Sequence, residues 1–334
     1  MESDIMHVIR KRNVHQILPI GLGYLAECGI PMPSRAGDVL VAPGPVTTVY
    51  DRPAERVLFW AERDANPFLH FFESLWILAG RNDVALPARF AQRMRDFSDD
   101  GVTFHGAYGH RLRNHFGVDQ LEVAVQMLNA NPYNRRIVLQ LWDPKEDLAR
   151  DGKDLPCNQS ILLNVSFGRR DERNRLNMMV TSRSHDIIWG AYGANAVQFP
   201  FIQEYLAGRL NLEIGNLTQV SWNYHAYVDV YNKTRRGALL VPHDECPYTT
   251  GEIAPYPLMT VPEAWNRDLL LFFEDPHSYG YTNSFFSQVA KPLWFSHAAF
   301  KKKDIIGAIE IVEQCQASDW RKAAREWLLR RKKS

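Results

Sequence analysis

Between Asn66 and Gly80 the chain carries Phe68, Leu69, Phe71, Phe72, Leu75, Trp76, Ile77 and Leu78. Asn66 suits a helix cap, Pro67 a first helical position and Gly80 an exit, so a helix is predicted over Pro67–Ala79. Apolar side chains fall on nearly every side of it. Such a helix has no face for water and must be enclosed by other elements, which demands a large layered fold. One carboxylate, Glu73, sits in its middle. Unpaired in an apolar interior, a carboxylate is costly or takes up a proton, and a carboxyl with a raised pKa is a good general acid–base.

The elements around it are mixed. Strands are predicted at Arg136–Trp142, Ile161–Phe167, Leu176–Ser182 and Leu217–Tyr227, and helices at Leu121–Leu128 and Ala196–Leu206. Near the C-terminus Trp320, Ala323, Ala324, Trp327 and Leu328 recur at helical spacing. Without a regular alternation, these elements indicate an α/β (α+β) architecture around one large mixed sheet packed by helices. Residues 1–240 read as one catalytic core. Residues 241–334 read as a loop, punctuated from Pro242 to Pro262, and a C-terminal helical extension packed on that core.

Composition narrows the function. Lys+Arg 39 against Asp+Glu 38 leaves a net charge of +1 over 334 residues. That is no electrostatic footprint for nucleic acid or an anionic membrane. No apolar run is long enough to cross a bilayer, and the first residues lack a secretory core. Cys28, Cys157, Cys246 and Cys315 are too far apart for a disulfide framework or a cysteine-ligated zinc site. The expectation is a cytoplasmic enzyme without a metal.

Several residues can carry chemistry. Cys157, after Pro156 at the entry to an apolar strand, is placed as a nucleophile would be, although a small buried apolar residue is the commoner reading of a lone cysteine. Thr181-Ser182-Arg183-Ser184-His185-Asp186 gathers donors and acceptors at a strand end. Its arginine can lower a nearby thiol's pKa or clamp a phosphate. Arg135 and Arg136 form a second basic pair, suited to a phosphate monoester. His225 and Tyr227, two apart on a strand, share a face and can donate to sugar hydroxyls. P-loop, HExxH and dinucleotide-binding motifs are absent.

Together these motifs resemble the thymidylate synthase superfamily, which includes the pyrimidine nucleotide C5 hydroxymethylases. The resemblance runs from about Arg35 to Tyr227. Ser34-Arg35-Ala36-Gly37 is similar to the family's first phosphate loop, and Glu73 through Gly80 to the helix of its catalytic glutamate. Tyr108-Gly109, Asn134-Arg135-Arg136, Pro156-Cys157, Arg183-Ser184-His185-Asp186 through Gly190, and His225-Ala226-Tyr227 follow in the family's order. The resemblance implies that Cys157, Glu73, Asp186 and Tyr108 are catalytic. It implies phosphate binding by Arg35, Arg183 and Ser184, with Arg135 and Arg136 lent across a homodimer formed by the sheet face. Asn195, Asn158, His225 and Tyr227 would hold base and sugar. Asp186, Trp76 and Gly190 would hold 5,10-methylenetetrahydrofolate as the one-carbon donor.

Four departures bear on the reaction. Asn158 replaces the family's histidine after the nucleophile. Met94 and Phe97 stand where tryptophans wall the methylene intermediate. The loop after Gly190 is one residue longer, so Ala194 competes with Asn195 for the base-reading position. A basic helical extension, ending Arg330-Arg331-Lys332-Lys333-Ser334, replaces a short apolar closing tail. All four weaken the water-free site that hydride transfer needs. The expected activity is therefore C5 hydroxymethylation of a pyrimidine nucleoside monophosphate, dUMP ahead of dCMP. The alternatives are reductive methylation of dUMP to dTMP and a non-catalytic nucleotide-binding homologue.

Overall fold

The computed structural model describes residues 6–168, 173–238 (side chains to 235) and 245–332. The sequence boundary at 240–241, the proline Pro242, and Lys333 and Ser334 lie outside the described residues. In chain order the strands are β1 (His7–Lys11), β2 (Ile30–Met32), β3 (Val39–Val41), β4 (Val46–Tyr50), β5 (Val138–Gln140), β6 (Asn158–Ser166), β7 (Arg175–Ser182), β8 (His185–Asp186), β9 (Glu213–Ser221) and β10 (Tyr224–Tyr227). A large sheet has the order β1-β4-β9-β7-β6-β5 and a smaller one β2-β3-β10-β8. The large sheet is mixed: β1 with β4 and β7 with β9 are parallel, the other pairs antiparallel.

The predicted strand Leu217–Tyr227 is in fact two strands in different sheets. β7 and β9 run side by side to the register pair Ser182 and Ser221 and then leave the large sheet together. Trp222 donates its backbone N–H to Ser182 O, and His185 donates to Asn223 O. The two chains then re-pair as β8 and β10 in the smaller sheet. This shared step puts Arg183-Ser184 and His225-Ala226-Tyr227 side by side.

The helix Pro67–Leu78 is enclosed as its composition requires. Asn66 caps it through Leu69 N–H, and Gly80 leaves it with φ +69. Phe71 meets Phe201 of the helix Asn195–Arg209, Phe285, and Trp320 of the helix Ser318–Lys332. Phe68 meets Trp327. Trp320 and Trp327 are only 3% and 4% exposed, so the C-terminal helix is part of the core. Cys246, Tyr248, Ile253 and Leu258 of the proline-punctuated stretch are buried in the same cluster. Helices Val14–Cys28, Trp265–Glu274, Lys291–Lys301 and Ile305–Val312 complete the layers. No described helix is long and apolar enough to cross a membrane.

One sheet face is left open. Val138, Leu162 and Met179 stand in register across β5, β6 and β7 and are 46%, 37% and 40% exposed.

Candidate active site

Cys157 lies at the start of β6, where its carbonyl accepts the backbone N–H of Arg183. The Arg183 guanidinium donates from Nε to Pro156 O at 2.9 Å and from Nη2 to Leu155 O at 3.3 Å. Arg35, at the tip of the β2–β3 hairpin, donates to Gly152 O at 3.2 Å. Two arginines thus grip the segment that leads into Cys157. Ser184 is half-buried beside them. Burial pushes the Cys157 thiol up; Arg183 pulls it back, while Asp154 and Asp186 push it further up. The arginine acts in the expected direction, but desolvation outweighs it.

Tyr108 and Asn158 are joined. Asn158 Nδ2 donates to the Tyr108 hydroxyl at 2.8 Å, and Asn158 Oδ1 accepts from Ser182 Oγ. Asn158 is fully buried, with both ends of its amide engaged by protein. This corrects the expectation that it touches base or sugar; strand alternation turns it inward, opposite Ser182, where it positions Tyr108. The Tyr108 ring stacks on Phe199, 6.0 Å between centroids. Burial raises its phenol above the ordinary range.

Glu73 is half-buried. Burial raises its carboxyl to about 7, offset in part by a hydrogen bond from Gln198. A raised pKa is what the sequence predicts for a carboxyl in such a helix. Trp76, one turn on, is a correction: its indole is buried and its N–H donates to Asp83 Oδ2 at 3.1 Å. It belongs to the packing beneath the site and presents no face for a folate ring.

Asp186 turns the chain from β8 into a wide helical turn, Ile187–Ala194. Its Oδ1 accepts from Ile188 and Trp189 N–H, whereas Oδ2 is buried without a partner. Burial raises this carboxyl. His225 is the register partner of Asp186, and its ring meets Tyr227 edge-on at 5.8 Å. The turn is π-helical, with Tyr192 and Gly193 out of helical geometry. Such a turn accommodates one extra residue inside a helix. Asn195 follows this turn, with its side-chain amide in a polar cluster. Asn195 Oδ1 bonds His185 Nε2 at 3.0 Å, and its Nδ2 donates to Gln198 Oε1 at 3.0 Å. Gly190 lies over this pair: a Cβ there would sit 3.2 Å from His185 Cδ2 and 3.4 Å from Asn195 Oδ1.

Arg135 and Arg136 are exposed ahead of β5 and bond to none of these residues. Gln198, which no motif named, and His185, named only as part of its motif, hold the Asn195 amide between them. The available signal was the i, i+3 spacing of Asn195 and Gln198, which sets both on one helix face.

Residues 62–245 match the family model described as thymidylate synthase. The chain belongs to the thymidylate synthase family. Within it, the chain is 48% identical to a deoxyuridylate hydroxymethyltransferase of Pseudomonas phage M6, over 98% of this chain and 95% of that protein. A protein of the same description from Bacillus phage SP01 is 38% identical over 59% of this chain and 55% of its own length. One from Delftia phage PhiW-14 is 30% identical over 55% and 53%. The matched residues include Cys157, Glu73 and the Arg183-Ser184 pair. Phe97 is 51% exposed, and Met94 packs against the core. The helix Ser318–Lys332 covers Phe68 and Phe71, on the flank of the Pro67–Leu78 helix away from Glu73.

Proposed function

We propose that the protein is a deoxyuridylate hydroxymethylase, converting dUMP to its 5-hydroxymethyl derivative with 5,10-methylenetetrahydrofolate as one-carbon donor. The near-full-length likeness to the phage M6 deoxyuridylate hydroxymethyltransferase carries this reading, and the site chemistry supports it. Arg35, Arg183 and Ser184 hold the 5′-phosphate, joined by Arg135 and Arg136 of a second subunit docked on the open sheet face. That face, with Val138, Leu162 and Met179 in one row, suits an isologous homodimer. His225 and Tyr227 meet the sugar. Asn195 meets the base.

Cys157 adds as thiolate to C6 of the uracil, and the electron pair of the C5=C6 bond moves to C5, which becomes the carbon nucleophile. The folate supplies a one-carbon unit at the oxidation level of formaldehyde. The unpartnered, buried Asp186 Oδ2 suits the donor edge of a pterin. Glu73, raised to about 7, moves protons near the base at neutral pH. Tyr108, held by Asn158, keeps its proton and offers it near Cys157. Transfer of that carbon to C5, with loss of the C5 proton and departure of the folate amine, would leave an exocyclic methylene; water adds to it, and expulsion of the Cys157 sulfur restores the C5=C6 bond. No hydride moves, so tetrahydrofolate leaves unoxidised. The exposed Phe97 and the C-terminal helix packed away from Glu73 favour water entry over hydride transfer. Four unpaired cysteines suit a reducing cytoplasm.

Mass spectrometry of products from purified protein, the folate and, separately, dUMP, dCMP, UMP and CMP tests the reading. A hydroxymethyl product from dUMP without dihydrofolate is expected. A methyl product with stoichiometric dihydrofolate contradicts it.

A further inference from the structure

A continuous chain of side-chain hydrogen bonds runs behind the base position. Ser221 Oγ lies 2.7 Å from His185 Nδ1, and His185 Nε2 lies 3.0 Å from Asn195 Oδ1. Asn195 Nδ2 donates to Gln198 Oε1 at 3.0 Å, which leaves the Gln198 amide nitrogen for Glu73, whose carboxyl pKa Gln198 holds down by a side-chain hydrogen bond. His185, Asn195, Gln198 and Ser221 are all buried. Each inner link has two possible directions, because an amide can turn over and an imidazole can exchange tautomers. Only one end fixes the choice. The Ser221 hydroxyl can give or accept, but Glu73 in its ionised form only accepts, and it is the ionised form that fixes the chain. Gln198 must therefore turn its nitrogen to Glu73 and its oxygen to Asn195. Asn195 must then turn its nitrogen to Gln198 and its oxygen to a His185 that carries its proton on Nε2.

Resting on the reading of Asn195 as the base-binding amide, we propose that Gln198 is the positioning residue that sets uracil over cytosine. It locks Asn195 with one lone pair of Oδ1 and one N–H of Nδ2 left over for the base. Uracil presents N3–H and O4, which match that pair. Cytosine presents a bare N3 and an amino group, which meet oxygen against lone pair and N–H against N–H. Accepting cytosine requires Asn195 to turn over, and that breaks its bonds to His185 and Gln198 unless the whole chain reverses against the Glu73 carboxylate. Gly190 keeps the approach to Oδ1 clear, since a Cβ there would stand 3.4 Å from it.

The test compares kcat/KM for dUMP and dCMP in the full-length protein, in Gln198→Leu and in Gln198→Glu. Leucine keeps the volume and removes both bonds, so the dUMP preference should fall roughly tenfold, as expected for loss of one orienting hydrogen bond in a buried site. Glutamate keeps an acceptor for Asn195 Nδ2, so the preference should survive even though a second carboxylate beside Glu73 lowers kcat. A purely structural Gln198 predicts parallel losses on both nucleotides in Gln198→Leu, and that result overturns the proposal. So does a preference lost in Gln198→Glu. Calorimetric binding of dUMP and dCMP to the same variants in a Cys157→Ser background reads the ratio without turnover. A ratio reduced in Gln198→Leu and kept in Gln198→Glu supports the proposal whichever product the enzyme makes; a ratio unchanged in Gln198→Leu overturns it.

Discussion

Replacing Glu73 by glutamine should make the protein more stable at alkaline pH while removing its activity. Burial lifts this carboxyl from an ordinary 4.5 to about 7. The folded state therefore favours the protonated form, and between those two pH values it binds protons that the unfolded chain has released. Stability falls with rising pH wherever the native state binds more protons, so the charge of Glu73 costs nothing below pH 4.5 and its full amount above pH 7. At about 1.4 kcal/mol per pH unit the ceiling is roughly 3.4 kcal/mol. Glu73 is half-buried rather than sealed, so screening by cleft water brings the expectation to about 2 kcal/mol. Glutamine is isosteric, never charges, and still accepts from Gln198. Urea denaturation of both proteins at fixed concentration, at pH 5 and pH 8.5, gives the difference directly, with other titrations cancelling. Glu73→Gln should gain about 2 kcal/mol at pH 8.5 and little at pH 5. A difference independent of pH, or a variant less stable at pH 8.5, refutes the reasoning.

Other perturbations separate the parts. Cys157→Ser should lose turnover by at least about a thousandfold while still binding dUMP in calorimetry, because the serine hydroxyl is a poor substitute for a thiolate. Asp186→Asn keeps the Oδ1 cap and replaces the unpartnered acceptor with a donor; KM for the folate should rise roughly tenfold with KM for dUMP little changed, measured in steady-state assays. Trp327→Ala removes a side chain that is 4% exposed and should cost about 4 kcal/mol in urea denaturation. Met179→Asp puts a charge in the middle of the open sheet row and should shift sedimentation from dimer to monomer, with activity lost alongside.

The parts legible in the sequence are those carried by contiguous motifs. Glu73 was legible because a carboxylate inside Phe68–Leu78 contradicts its surroundings, and Cys157, Arg183 and His225 because each sits in a short pattern of fixed local geometry. The relay behind Asn195 was not. Its members come from β8, β9 and the helix Asn195–Arg209, and they meet only because two strands step between sheets and a π-helical turn rotates Asn195 inward. Trp76 was misread for a related reason. Its spacing from Glu73 places both on one flank, but Asp83 beyond the helix end captures the indole N–H. Asn158 shows the same limit: alternation along β6 sends it inward, and only the register with Ser182 reveals that its amide is occupied. The short strands β1 to β4 escaped notice because they are three to five residues long, and Ile30, Pro31 and Met32 are all exposed.

The central claim is that water, not hydride, completes the reaction at the exocyclic carbon. Turnover of dUMP in water enriched in heavy oxygen, followed by mass spectrometry of the nucleotide, measures this directly. The account predicts a hydroxymethyl product carrying one heavy oxygen, with tetrahydrofolate recovered unoxidised. A methyl product without heavy oxygen, accompanied by one dihydrofolate per turnover, would contradict it.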